Sequence, residues 1–140
     1  MSKFYICQAC GNIIEKVDDG GPIPSCCGEE MKELIPKDTE GLGEKHIPQI
    51  KLEKICCKDK DKKFLQACIK IGSDPHPMQE KHWIKWVQLE TDQGRYLRYL
   101  CPGNTPMVKF KLCCDEEVRC VYAYCNIHGL WSCTKCCSKE

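Results

Sequence analysis

Short runs in which every second residue is apolar dominate the later two thirds of the chain. Leu65, Ala67, Ile69 and Ile71 alternate with polar or small neighbours, and Val108, Phe110 and Leu112 alternate with Lys109 and Lys111. A period of two puts one set of side chains on one face, so each run reads as a half-buried strand. Further strands are predicted over residues 47–55, 82–91, 95–100, 118–125 and, as a short one, 130–133, with Gly, Pro, Asn and Asp between them. No run sustains a helical period. About seven short strands in roughly a hundred residues predict an all-β unit, an antiparallel β-sandwich of immunoglobulin-like kind. There is no internal repeat and no low-complexity tract.

The opening of the chain has a different texture. Phe4-Tyr5-Ile6-Cys7-Gln8-Ala9-Cys10-Gly11-Asn12 leads to Gly20-Gly21-Pro22-Ile23-Pro24 and then to Cys26-Cys27-Gly28. So short a segment cannot bury enough apolar surface to be stable alone, and a metal or a second chain must help. The polar, glycine-bearing stretch after it reads as a linker. The expected division is a small unit over 1–36, a linker over 37–43 and the sandwich over 44–140.

Composition narrows the class. Lys and Arg number 21 against 20 Asp and Glu, a balance that argues against a nucleic-acid binder, which gathers a basic excess on one face. Lys54, Lys58, Lys60, Lys62 and Lys63 cluster, but Asp59 and Asp61 interleave with them, and the stretch reads as a solvated turn. Residues 1–10 carry no secretory signal, and no run approaches the ~18 apolar residues of a membrane span. The expectation is a soluble, cytoplasmic protein with no membrane partner. That compartment changes the meaning of the fifteen cysteines: in a reducing cytosol they read as metal ligands and thiols rather than as a disulfide scaffold.

Cys7-x-x-Cys10 with Cys26-Cys27 supplies four thiolates at a spacing suited to one tetrahedral metal. Both zinc and iron accept that set, and a zinc staple that merely folds the small unit is one reading of it. Gly11 lets backbone amides turn toward the sulfurs. Adjacent side chains in extended backbone point opposite ways, so using both Cys26 and Cys27 demands a strained turn and a distorted tetrahedron, which Gly28 assists.

The four histidines of the chain all fall in three short motifs that also hold one cysteine: Glu44-Lys45-His46, His76-Pro77-Met78-Gln79-Glu80-Lys81-His82 and Cys125-Asn126-Ile127-His128. Imidazole is the commonest metal ligand, and thiolate adds a soft donor. Four imidazoles and one thiolate exceed what tetrahedral zinc takes; they suit a redox metal with a sixth position open to substrate. In a straight strand His76 and His82 would be ~20 Å apart, so sharing a metal requires a bend between them. Pro75 and Pro77 put His76 on a loop, while His82 is expected to open its strand. Cys125 ends the 118–124 strand, and His128 follows across the Asn126-Ile127 turn, with Gly129 after it. His46 follows the linker directly. All five donors are thus expected at strand ends and loops on one rim of the sandwich, a usual place for function. Taken singly, each histidine reads as an ordinary surface or core residue; the joint pattern carries the reading.

These motifs resemble those of the superoxide reductases of desulfoferrodoxin (two-iron) type, over nearly the whole chain. The Phe-Tyr-x-Cys-x-x-Cys-Gly-Asn opening with its later Cys-Cys-Gly is similar to a desulforedoxin-like domain. Glu-Lys-His-x-Pro, His-Pro-Met-x-x-x-His and Cys-Asn-x-His resemble the catalytic domain's ligand motifs. The resemblance implies two irons per chain. One is held by Cys7, Cys10, Cys26 and Cys27; the other has His46, His76, His82 and His128 as equatorial ligands and Cys125 as axial ligand. It implies that Glu44 occupies the sixth position in the ferric state, a rubredoxin-like electron donor, and a homodimer. The implied reaction is one-electron reduction of superoxide to hydrogen peroxide at the ferrous centre without dioxygen formation, a detoxification. In it the Cys125 thiolate pushes electron density onto the metal and the Lys45 charge attracts the anion, a steering that weakens with salt. The first site becomes an auxiliary electron-transfer centre.

Ten cysteines match no ligand position: Cys56, Cys57, Cys68, Cys101, Cys113, Cys114, Cys120, Cys133, Cys136 and Cys137. They read as free or buried thiols packing as small hydrophobes. Cys133-x-x-Cys136-Cys137 echoes the first site, and an adventitious metal or a disulfide is open there. Two other functions compete with the enzyme: a non-catalytic iron electron-transfer or metal-storage protein, and a zinc-stapled binding module in which the histidines are incidental.

Overall fold

The computed structural model describes residues 2–38, 43–56, 63–134 and 138–139. The chain divides into two compact units, Met1–Ile35 and Pro36–Glu140.

The first unit has a three-stranded antiparallel sheet in which β1 (Phe4–Ile6) lies between β2 (Ile13–Glu15) and β5 (Lys32–Leu34). A separate two-stranded hairpin pairs β3 (Ser25–Cys26) with β4 (Glu29–Glu30). Its apolar cluster is small: Tyr5, Cys7 and Met31, with Cys26 packed against it. That is far less than a self-sufficient core.

In the second unit all seven predicted strands are present, with ends displaced by no more than two residues. One sheet has the order β10 (Met107–Cys113), β7 (Lys63–Ile71), β6 (Pro48–Cys56); the other has the order β12 (Gly129–Cys133), β11 (Val118–Cys125), β8 (Ile84–Thr91), β9 (Arg95–Tyr99). The two layers enclose one core of Ile50, Leu65, Ala67, Ile69, Ile71, Val87, Leu89, Val108, Phe110, Leu112, Val121 and Ala123, among others. The alternation in β7 and β10 reads directly in their burial, every second residue being buried. This is the immunoglobulin-like sandwich expected from the period of two.

Three features depart from that expectation. A further short strand, β13 (Ser138–Lys139), pairs with β6 in parallel, so the sheet is not wholly antiparallel. Gly43–His46 form one helical turn, α1, too brief for any periodicity to announce. Lys37 makes a parallel bridge to Trp131: its N–H donates to the Leu130 carbonyl at 3.0 Å, and the Ser132 N–H donates to the Lys37 carbonyl at 2.9 Å. Part of the segment expected as linker is therefore fastened to β12.

The surplus cysteines divide by chemistry. Cys68, Cys101, Cys113, Cys114 and Cys120 are free thiols, Cys120 buried as expected of a small hydrophobe. Cys133 instead belongs to a disulfide. Cys57, Cys136, Cys137 and the side chain of Cys56 lie outside the described residues.

Candidate metal centres

The four-cysteine group is built from two turns. Between Cys7 and Gly11 the chain closes on itself through Gly11 N–H to the Cys7 carbonyl at 2.8 Å and Cys7 N–H to the Asn12 carbonyl at 2.9 Å. The amides that reach the Cys7 sulfur are those of Cys10 and Ala9, and the Cys10 amide is the main cause that lowers its thiol to about 7. The second turn is the hairpin between β3 and β4. Cys26 pairs with Glu29, leaving Cys27 and Gly28 as a two-residue loop with φ of 54° and 76°. Positive φ at both positions is the signature of the type I′ turn that hairpins favour. The vicinal pair is therefore accommodated by an ordinary tight turn. Its strain is confined to Cys27, the only non-glycine residue with positive φ among the described residues.

Sulfur spacing fits a tetrahedral metal. Cys10 and Cys26 Sγ are 3.7 Å apart, Cys26 and Cys27 Sγ 3.9 Å, against about 3.8 Å for the edge of a tetrahedron with ~2.3 Å metal–sulfur bonds. All four sulfurs lie within 4.8 Å of one another. Without a cation such crowding holds protons on: hydrogen bonding with Cys10 and Cys26 pushes the Cys27 thiol up to about 12, and hydrogen bonding with Cys7 and Cys10 raises Cys26. The Asn12 amide donates to Cys26 Sγ at 3.7 Å.

The second group draws His46, His76, His82, Cys125 and His128 within the same 4.8 Å limit, on one rim of the sandwich. His46 ends α1, just before β6. His76 follows β7 on the loop containing Pro75 and Pro77. His82 does not open β8 as expected; Gln79 and His82 exchange N–H to carbonyl bonds of 2.9 and 3.0 Å, closing a tight turn around Glu80-Lys81, and β8 begins at Ile84. That turn is the bend the shared metal requires. Cys125 pairs with Gly129 across a three-residue loop that carries His128, and Gly129, at φ 83°, closes the loop where a side chain would be strained.

A bulge aims the β8 end. Tyr124 pairs with Trp86, but Cys125 pairs with Ile84, so Lys85 is extra. The insertion changes parity, which is how Ile84 and Val87 both reach the core. Asn126 locks the same region: its Oδ1 accepts from Trp83 N–H at 3.0 Å and its Nδ2 donates to the Lys81 carbonyl at 2.9 Å, tying the His82 turn to the Cys125 loop. Sequence reasoning gave Asn126 only a turn role, although it sits inside the Cys-Asn-x-His motif.

The four imidazoles form a square. Neighbouring ring centroids are 4.6 Å (His46–His76), 4.7 Å (His76–His82), 5.0 Å (His82–His128) and 4.7 Å (His128–His46), all edge to face. The His46–His82 diagonal is 6.4 Å. His46 Nε2 lies 3.1 Å from His76 Nε2 and 3.0 Å from His128 Nδ1, close to the ~3.0 Å separating donors at right angles on ~2.1 Å metal–nitrogen bonds. The His76 Nδ1–H donates to the Pro77 carbonyl at 2.6 Å, which leaves the Nε2 lone pair facing the others. A single Nε2–H on His46 cannot serve two nitrogens at once, and His82 Nε2 is buried with no hydrogen-bond partner among the described residues. The array is thus unsatisfied as a hydrogen-bond network and fits a metal cation.

The fifth donor is sulfur. Cys125 is fully buried in the core; its Sγ is 3.7 Å from His128 Nδ1 and accepts the His128 N–H at 3.4 Å. Burial, ahead of the neighbouring imidazoles, lowers His76 to about 4. His82 is lowered too, by burial first, then by His128 and Lys45. Lys45 is therefore exposed on α1 with its charge acting on His82. The Glu44 side chain lies outside the described residues.

Comparison with known proteins covers the chain almost end to end. The family model "Desulfoferrodoxin, N-terminal domain" matches residues 1–34, and "Desulfoferrodoxin" matches residues 38–134. A desulfoferrodoxin from Nitratidesulfovibrio vulgaris is 40% identical over 92% of this chain and 93% of its own. A superoxide reductase from Thermococcus kodakarensis is 29% identical over 68% of this chain and 89% of its own. Among solved structures, the superoxide reductase from Treponema pallidum superposes with a TM-score of 0.73 at 28% identity, covering 95% of this chain and 97% of that one.

Proposed function

The chain belongs to the desulfoferrodoxin family, and from that premise we propose that it is a superoxide reductase, an oxidoreductase that takes superoxide, one electron and two protons to hydrogen peroxide without releasing dioxygen. The observation that carries this reading is the square of four imidazoles gathered with one buried thiol, five donors that would hold a redox metal and leave it able to take a substrate ligand. Held by these residues, iron would supply one-electron redox chemistry and a binding position for the anion.

The chain's residues do the rest. We assign His46, His76, His82, His128 and Cys125 as the residues that would hold this iron, with the Cys125 thiolate the donor that would raise its electron density. The His128 N–H on Cys125 Sγ tempers that donation and fixes the sulfur's direction. Lys45 draws the anionic substrate in from solvent, and Glu44 would supply a further ligand to the oxidised metal. Cys7, Cys10, Cys26 and Cys27 hold the second iron, an auxiliary electron-transfer centre. A rubredoxin-like protein supplies electrons, the working form is a homodimer, and the compartment is the cytoplasm; no described helix is long and apolar enough to cross a membrane.

Substituting Cys125→Ser in the iron-loaded protein tests the assignment. Loss of the visible thiolate absorption together with a drop in superoxide reduction beyond the 10–100-fold typical of losing a mere outer-shell partner is expected in rapid-mixing or pulse-radiolysis assays. Full activity in that variant would overturn the mechanism and favour a storage or carrier role.

A further inference from the structure

We propose that Trp131 is the positioning residue of the rim site: its indole sets the plane of the His46 imidazole, and the segment around Lys37 clamps it there. This rests on the reading of His46 as a metal ligand. The two rings stack, with centroids 4.7 Å apart and planes 24° from parallel. Of the stacked or edge-on contacts His46 makes within the site, the other two short ones, to His76 and His128, are edge to face. Trp131 alone among these presents a broad flat surface to it.

The indole is held by its faces. It is 1% exposed, yet its Nε1–H has no hydrogen-bond partner among the described residues. An unsatisfied buried donor is costly and calls for an explanation. Tryptophan at a purely structural position normally has its N–H satisfied; here the ring's orientation serves the stack instead. Its directly opposite neighbour on β11 is Ala123, whose single methyl leaves room for the indole on the core side.

The clamp is equally specific. Leu130 and Ser132, the residues on either side of Trp131, are the two that bond the Lys37 main chain, and the Lys37 ammonium lies 5.5 Å from the indole centroid, within cation–π range. Two of the other ligands have supports of their own, and the stack supplies one for His46. His76 is oriented by the Pro77 carbonyl, and the loop carrying His128 is tied to Cys125. His46 sits on a four-residue helical turn, too short to be stable by itself.

The test uses full-length protein stripped of metal and titrated with ferrous iron under anaerobic conditions, comparing Trp131→Met, Trp131→Phe and His46→Ala with the parent. Met fills the space without a flat face; Phe restores one. Trp131→Met is expected to weaken iron binding at the rim site about 10–100-fold, as loss of an outer-shell partner does, and to shift the thiolate absorption band, with Phe recovering most of both. Parent-like affinity and band position in Trp131→Met overturn the proposal. So does a loss that Phe fails to recover, which marks a merely structural role. His46→Ala separates the two levels: if it leaves iron binding unchanged, the ligand assignment itself fails. Should Trp131→Met not fold, proton NMR of the zinc-loaded parent decides, because stacking shifts the His46 ring protons upfield and unshifted protons overturn the stack.

Discussion

In the first unit four sulfurs come from two tight turns in a segment of thirty-five residues whose apolar cluster is three side chains and one neighbour. In the second unit five donors come from a helical turn, a strand end and loops at one rim of a two-layer sandwich with its own continuous core. Two donors of the first site therefore also belong to the unit's small interior, Cys7 within its cluster and Cys26 packed against it, while Cys10 and Cys27 are exposed. Those of the second are guests on a frame that other residues hold up, Cys125 being the one that belongs to both. Metal should fold the first site; the fold should make the second site ready for metal.

Removing the metals is the most severe way to break this contrast. With an anaerobic chelator, amide protection throughout residues 2–35 is expected to disappear, because structural four-ligand sites contribute on the order of 10 kcal/mol to folding. The sandwich is expected to keep a cooperative thermal transition. All three tryptophans, Trp83, Trp86 and Trp131, lie in the second unit, so their fluorescence reports it alone. Retained protection in the first unit after metal loss would remove the distinction.

Acid should sharpen it. His76 is held neutral in the folded sandwich, lowered by burial to about 4 from an ordinary ~6.5. The unfolded chain thus takes up a proton that the folded one refuses. The resulting stability is intact above about pH 6.5, falls as pH drops toward about 4, and is lost below it. Urea titrations of metal-free protein followed by tryptophan fluorescence should show midpoints declining across that window. A midpoint that is level from pH 7 to 4 contradicts the burial of a neutral His76.

The smallest effects belong to the residues beside the rim. Lys45→Ala is expected to slow superoxide reduction several-fold at low ionic strength and to flatten its salt dependence, since exposed charges act through a field that salt screens. Glu44→Ala should leave the fast reduction nearly intact and change the spectrum of the oxidised resting protein. Unaltered kinetics in the first variant, or an unaltered spectrum in the second, withdraws the corresponding role.

Much of this was legible in the chain because two signals are short-range. A period of two marks a half-buried strand within a few residues, so the runs through Leu65 and Val108 declared their faces directly. The nine donors sit in five compact clusters whose spacing already implied two centres. What stayed hidden depends on pairing between distant segments. The extra residue at Lys85 exists only relative to β11, and it decides that Ile84 joins the core. The bridge from Lys37 to Trp131 spans most of the second unit, so a polar, glycine-bearing stretch read as linker. Trp131 was covered only by a short strand, with nothing local to reveal which ring it would face. Asn126 could have been weighted more heavily, since a side chain with both a donor and an acceptor inside a ligand loop is suited to tying two loops together.

The turn at Cys27-Gly28 has a consequence for protein engineering. A two-residue hairpin loop of this hand is among the commonest ways to join adjacent strands, and here its first strand-flanking position and its first loop position are both sulfur donors. Half of a tetrahedral thiolate site is thus portable: writing Cys-Cys-Gly across such a loop on an unrelated hairpin would present two sulfurs about 3.9 Å apart, as Cys26 and Cys27 are, needing only a facing Cys-x-x-Cys loop to complete a coloured, reducible label.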